Sequence, residues 1–160
     1  MSLRPLAAVV LLCCAALMVA LGPRQPPNLT EGSRGVSAAR IAHGLRLELR
    51  VRLSGRALVI EMSVENQRDE PVALWSRTSQ MWDAEVSDGQ GHLLWRWSAD
   101  KLFLQAITTR TLRPGERMGF RAEWEAPGPG RYVVTGYLLA HVGSLDGPIV
   151  EPVGCTIEVH

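Results

Sequence analysis

Apolar and polar residues alternate with a period of two along most of the chain after residue 44. Leu45, Leu47, Leu49, Val51 and Leu53 point one way, and Arg46, Glu48, Arg50 and Arg52 the other. That period marks a half-buried strand, because successive side chains of an extended chain leave on opposite faces. Ser54-Gly55 is a turn signal, after which Leu58, Ile60, Met62 and Val64 alternate with Glu61, Ser63 and Glu65. The two runs predict a β-hairpin with one face inward. Val72–Trp75 predicts a short strand, and Trp82, Ala84 and Val86 the next. Asp88-Gly89-Gln90-Gly91 is a tight turn, since glycine supplies positive φ without steric cost. His92–Trp97 returns from it with Leu93, Trp95 and Trp97 on one face.

The second half continues the pattern. Arg113-Pro114-Gly115-Glu116 is a turn with proline suited to the first corner and glycine to the second. Met118, Phe120, Ala122 and Trp124 alternate until Pro127-Gly128-Pro129-Gly130 closes the run. Tyr132, Val134, Gly136 and Leu138 form another strand pattern, and Val153, Cys155, Ile157 and Val159 the last, with Pro152 marking an edge or a bulge. Leu102–Ile107 is the only later stretch that suggests a turn of helix. About eight strands at this spacing predict an all-β, immunoglobulin-like antiparallel β-sandwich, with a closed barrel as the alternative.

The N-terminus is different. Arg4 precedes an uncharged run from Leu6 to Leu21. Residues 1–22 therefore read as a signal peptide or a membrane anchor, at the short edge of the roughly 17–25 residues a spanning helix needs. Pro23 disfavours cleavage after Gly22, and Leu12 before Cys13 disfavours a lipid-attachment site, so a retained anchor and a signal cut elsewhere both stay open. Residues 23–42 hold Pro23, Pro26, Pro27, Gly32 and Gly35 and are expected to be an extended or disordered linker. Residues 43–160 are expected to form the domain. An extracytoplasmic location follows, secreted or tethered to the membrane by the N-terminal segment.

Composition narrows the function. The 160 residues carry a formal net charge of +1, without the basic excess that nucleic-acid binding usually needs. The histidines His43, His92, His141 and His160 show no metal-ligand spacing. No nucleophile elbow, P-loop or dinucleotide fingerprint is present. The chain reads as a non-enzyme with no cofactor and a protein partner. Cys155, alone beyond the N-terminal run, has no partner there for a disulfide and reads as a small strand residue.

All five tryptophans fall between Asn66 and Tyr132, and the order of motifs there resembles one family, the BsuPI proteinase inhibitors. The resemblance runs through Asn66, Pro71, Gln80, Asp83, Asp88, Gly91, the Trp95-Arg96-Trp97-Ser98 strand, and Phe103, Gln105 and Ala106. It continues at Leu112, Pro114, Gly115, Glu116, Trp124, Gly130 and Tyr132. The chain departs from the pattern at Ala84, where an aromatic is usual, and at Trp75, where phenylalanine is common. The resemblance implies an inhibitor that binds a serine protease. The alternative is an immunoglobulin-like interaction module of the cell envelope without inhibitory activity.

Most matched residues read as scaffold. Trp95 and Trp124 are expected in the core, Trp75 and Trp82 are evenly balanced between core and surface, and Gln80, Asp83, Arg96 and Ser98 are expected to pair structurally. The protease-contact loop is left unknown; the proline-braced segments Ala126–Gly130 and Gly143–Pro152 are the candidates. Arg77 and Arg131 suit trypsin-like specificity, but arginine is too frequent here to decide it.

Overall fold

A computed structural model describes residues 35–126 and 128–160. The signal or anchor expected over 1–22 lies outside them, as does most of the linker. The described residues form eleven strands and no helix. These are β1 (Gly35–Ala42), β2 (Leu45–Ser54), β3 (Ala57–Asn66), β4 (Val72–Ser76), β5 (Trp82–Asp88), β6 (Leu93–Arg96), β7 (Thr108–Leu112), β8 (Arg117–Glu125), β9 (Gly130–Leu138), β10 (His141–Val142) and β11 (Val153–Val159). They build three antiparallel sheets in the orders β1-β2-β3-β8, β10-β4-β7 and β11-β9-β5-β6. The fold is an all-β sandwich.

The alternation written in β2 and β3 is realised in full. Their ten residue pairs run in register from Leu45 opposite Asn66 to Ser54 opposite Ala57. Leu45, Leu47, Leu49, Val51, Leu58, Ile60, Met62 and Val64 are buried, and they share one core with Ala84, Val86, Val134, Val153 and Ile157. Each such aliphatic side chain contributes about 1.5–3 kcal/mol on full burial. The two sheets pack tightly at Gly136, where a Cβ would stand 2.9 Å from Met62 Sδ and 3.4 Å from Leu49 Cδ1. Cys155 is free and half-buried, and burial pushes its thiol up to about 11.

The opposite face of the first sheet is charged. Register places Arg46, Glu65 and Arg117 in one row across β2, β3 and β8, and Arg50, Glu61 and Arg121 in another. Arg117 reaches Glu65 at 3.0 Å and Arg121 reaches Glu61 at 3.0 Å. Glu48 sits between the rows, nearly buried, with Arg50 at 2.8 Å, Arg117 at 3.4 Å and Arg46 at 4.0 Å. The Arg50 hydrogen bond, outweighing desolvation, holds the Glu48 carboxyl below its ordinary 4.5.

A second polar centre closes one set of turns. Asn66 is fully buried. Its Nδ2 donates to the carbonyls of Glu70 (2.8 Å) and Leu112 (3.0 Å), and its Oδ1 accepts from Arg68 N–H at 2.9 Å. Its backbone pairs with Gly115 and Glu116 at 2.9 and 3.0 Å. In that turn Gly115 takes φ +71, which only glycine adopts readily, and Glu116 Oε2 accepts from Arg113 N–H at 2.9 Å.

Four expectations need correction. The linker does not extend to Ala42, because Gly35–Ala42 pair with β2 as an edge strand. Sequence alternation also missed β7 and β10, which are short and pair with β4. Leu102–Ile107 contains no helical turn. Finally, a bulge between Val86 and Ser87 shifts the β5–β6 register, so Trp95 faces the core beside Val86 while Leu93 pairs with outward Ser87 and is half-exposed.

Asn66→Ala should cost about 2–4 kcal/mol, since it strands the Leu112 and Glu70 carbonyls; urea unfolding with an unchanged slope is the measurement. Glu48→Gln should cost about 1 kcal/mol at pH 7. Because the folded carboxyl titrates below its unfolded value, this stabilisation is complete above about pH 4.5 and disappears as pH falls through the folded value. The stability difference between Glu48→Gln and the native chain should therefore vanish on acidification.

Candidate functional site

The motif residues divide between a polar frame and an aromatic ridge. Asp83 is buried on β5. Its Oδ1 accepts from the N–H groups of Ala84 (2.9 Å) and Ser98 (3.2 Å), and its Oδ2 accepts from Ser98 Oγ at 2.6 Å. The carboxylate thus ties the chain leaving β6 back onto β5. One pair further along, Glu85 accepts from Arg96 and, at 2.6 Å, from Tyr137 Oη. Burial, with the Glu85 hydrogen bond second, pushes the Tyr137 hydroxyl up to about 12, so it remains a donor at neutral pH. Gln80 belongs to the β4–β5 turn. Its Nε2 donates to Trp82 O at 3.2 Å, its N–H to Thr78 Oγ1 at 3.1 Å, and its carbonyl accepts from Ser76 Oγ at 2.8 Å.

The ridge runs outward from the core. Phe120 on β8 contacts Trp82 with centroids 5.2 Å apart, Trp82 stacks on Trp97 at 4.2 Å, and Trp97 meets Phe103 at 5.8 Å. Each such pair adds about 0.5–1.5 kcal/mol beyond area burial. Lys101 Nζ lies 4.8 Å over the Trp97 ring. Elsewhere Trp124 meets Tyr132 edge-on at 5.5 Å, Trp95 and Trp124 are half-buried against the core, and Tyr132 Oη donates to Gly128 O at 2.7 Å. Pro71 and Pro114 are exposed in their turns, Gly91 takes φ +90, and Gly130 opens β9.

Phe103 is the inward residue of a segment whose other side chains face water. Leu102 is fully exposed, Leu104 is 73% exposed and Ile107 61%. Gln105 and Ala106 between them are also exposed. The loop thus exposes three large apolar side chains within six residues. The segment is nevertheless fastened. Ser79 N–H donates to Leu104 O at 2.9 Å, and Leu104 N–H donates to Ser79 Oγ at 2.9 Å. Thr108 begins β7 opposite Ser76, and its Oγ1 donates to Ala106 O at 3.3 Å. Phe103 supports the middle from below.

Phe103, Gln105 and Ala106 stand among the motif residues read from the sequence, but the exposure of this loop was not foreseen. The only signal was the adjacent apolar run Leu102-Phe103-Leu104. With apolar residues on both faces it shows no period of two, and it imitates a helical turn.

The two segments favoured from sequence are arranged differently. Ala126 is buried and its N–H donates to Arg56 O at 3.0 Å. Gly143–Val150 folds back on itself: Val142 N–H donates to Pro148 O, Gly147 N–H to Ser144 O and His141 Nδ1 to Gly147 O, and Val150 is buried. Arg77 is engaged by Leu145 O and by Asp146 at 3.2 Å, and Arg131 lies 3.8 Å from Glu158. Among the described residues no group of three or more His, Cys, Asp or Glu side chains is placed to hold a metal ion.

No curated protein matches the chain. The family model for BsuPI, intracellular proteinase inhibitor, matches residues 45–142, more than half of the chain. The family's description as intracellular overturns the extracytoplasmic location expected above, which rested on residues 1–22 alone. The matched range begins with β2, ends with β10 and contains both the ridge and the exposed loop, and the chain belongs to the BsuPI family of intracellular proteinase inhibitors.

Proposed function

We propose that the chain inhibits a serine protease by presenting Leu102–Ile107 to the enzyme's cleft. The observation that carries this reading is the union of exposed apolar side chains with a backbone held from beneath. Exposed leucines supply apolar area for a partner to bury. The Ser79 contacts and the Phe103–Trp97 contact restrict the loop before binding, which lowers the ordering cost that a floppy peptide would incur. Family membership supplies the class of partner, a protease.

The chemistry of the tip favours an enzyme with apolar subsites. Arg77 and Arg131, the arginines suited to trypsin-like recognition, each face an acidic neighbour, Asp146 and Glu158. Leu102 and Leu104 are the unengaged side chains.

Burying one leucine contributes about 1.5–3 kcal/mol. The double variant Leu102→Asp, Leu104→Asp should therefore weaken inhibition by at least about 100-fold. Its unfolding free energy should stay within about 0.5 kcal/mol of native, because both side chains already face water. A panel of serine proteases titrated with each protein provides the measurement. Unchanged inhibition by the double variant rejects the loop, and binding without loss of protease activity assigns it to a non-inhibitory interaction module. Phe103→Ala should keep the leucines but loosen their support, so the chain should be cut faster while inhibiting less.

A further inference from the structure

The hydrogen bonds of the exposed loop also indicate which peptide bond a protease would engage. A protease cleft takes an extended peptide as an added strand, through main-chain N–H and C=O groups of alternate residues. Those groups must be free on the edge that meets the enzyme. Ser79 occupies both the N–H and the C=O of Leu104. Along an extended chain the neighbouring residues face the opposite edge. Accordingly, the backbone N–H and C=O groups of Phe103 and Gln105 have no partner among the described residues. Phe103 turns its side chain inward onto Trp97, whereas Gln105 is exposed, and the chain bends at Gln105–Ala106.

Given the assignment of this loop as the protease-binding segment, we propose that Gln105 supplies the carbonyl attacked by the protease serine. Leu104 and Leu102 then fill apolar subsites on its N-terminal side. The alternatives within the loop fit less well. An attack on Leu104 requires its N–H and C=O, both held by Ser79, and an attack on Phe103 requires a side chain committed to the ridge.

The same contacts explain why engagement yields inhibition rather than turnover. In the attack, the serine oxygen bonds to the Gln105 carbonyl carbon and the bond to the Ala106 nitrogen breaks. The serine proton passes to that nitrogen, giving a free amine. Water can then hydrolyse the Gln105 acyl group to a carboxylate and restore the serine. Alternatively, the amine can return, reform the peptide bond and hand the proton back. Leu104 stays fastened to Ser79 on one side of the cut, and Thr108 stays fastened in β7 on the other. The amine is thus held at high effective concentration beside the acyl group, and resealing outruns hydrolysis.

Exchanging specificity tests the assignment. Trypsin selects a basic residue at the scissile position through a buried aspartate. In the full chain, Gln105→Arg should improve inhibition of trypsin by on the order of 100-fold, whereas Leu104→Arg, also at an exposed position, should not. After prolonged incubation, mass measurement should find one cut, between residues 105 and 106, whether turnover is slow or fast. An equal or greater gain from Leu104→Arg, or a cut at another bond of the loop, overturns the assignment of Gln105 and leaves the loop as the binding segment. Failure of the loop itself is read separately, by unchanged inhibition in the double aspartate variant.

Discussion

The register of β2 against β3 decides which side chains enter the core. Ten consecutive pairs place the alternating aliphatics inward, and a slip by one residue would send Leu47, Leu49, Ile60 and Met62 into water. The charged rows on the other face reinforce the same register. Arg46, Glu65 and Arg117 alternate in sign across three strands, as do Arg50, Glu61 and Arg121. Individually such surface pairs contribute little, but cross-strand neighbours of opposite sign favour one alignment over its competitors. With β3 fixed, β8 is fixed, and with β8 the position of Phe120.

Phe120 connects the core to the exposed loop. From it the ridge passes through Trp82 and Trp97 to Phe103, so the loop is supported by side chains rooted in β8, in β5 and just beyond β6. The polar frame keeps the ridge in place. Asp83 binds Ser98, next to Trp97, and the Gln80 turn positions Ser79 against Leu104. The exposed leucines therefore occupy the far end of a continuous path of packed and hydrogen-bonded groups that starts in the hairpin.

How much of this was legible depends on how each element encodes its environment. Strands with one wet face announced themselves, and β2, β3, β5, β8, β9 and β11 all carry the alternation. β7 (Thr-Thr-Arg-Thr-Leu) buries only Leu112 and so lacks a readable apolar face. β1 is rich in small residues and follows a proline-rich stretch, which made it look like linker. The bulge at Val86–Ser87 could not be read, because it depends on how two strands pair rather than on either sequence. The loop was hidden for another reason. Its apolar residues include one that serves the fold and three that face water, and sequence alone does not separate them.

Small inhibitory loops are commonly braced by disulfides, which tie their function to the redox state of the compartment. Here Cys155 is the only cysteine among the described residues. It is unpaired, and its raised thiol pKa keeps it in the unreactive protonated form. Every group holding the loop is an aromatic ring, a hydroxyl or a main-chain amide, and none of these changes with glutathione or thioredoxin. The loop's shape is therefore indifferent to electron supply: a reducing environment, which would slacken a cystine-braced loop, leaves this one fully set.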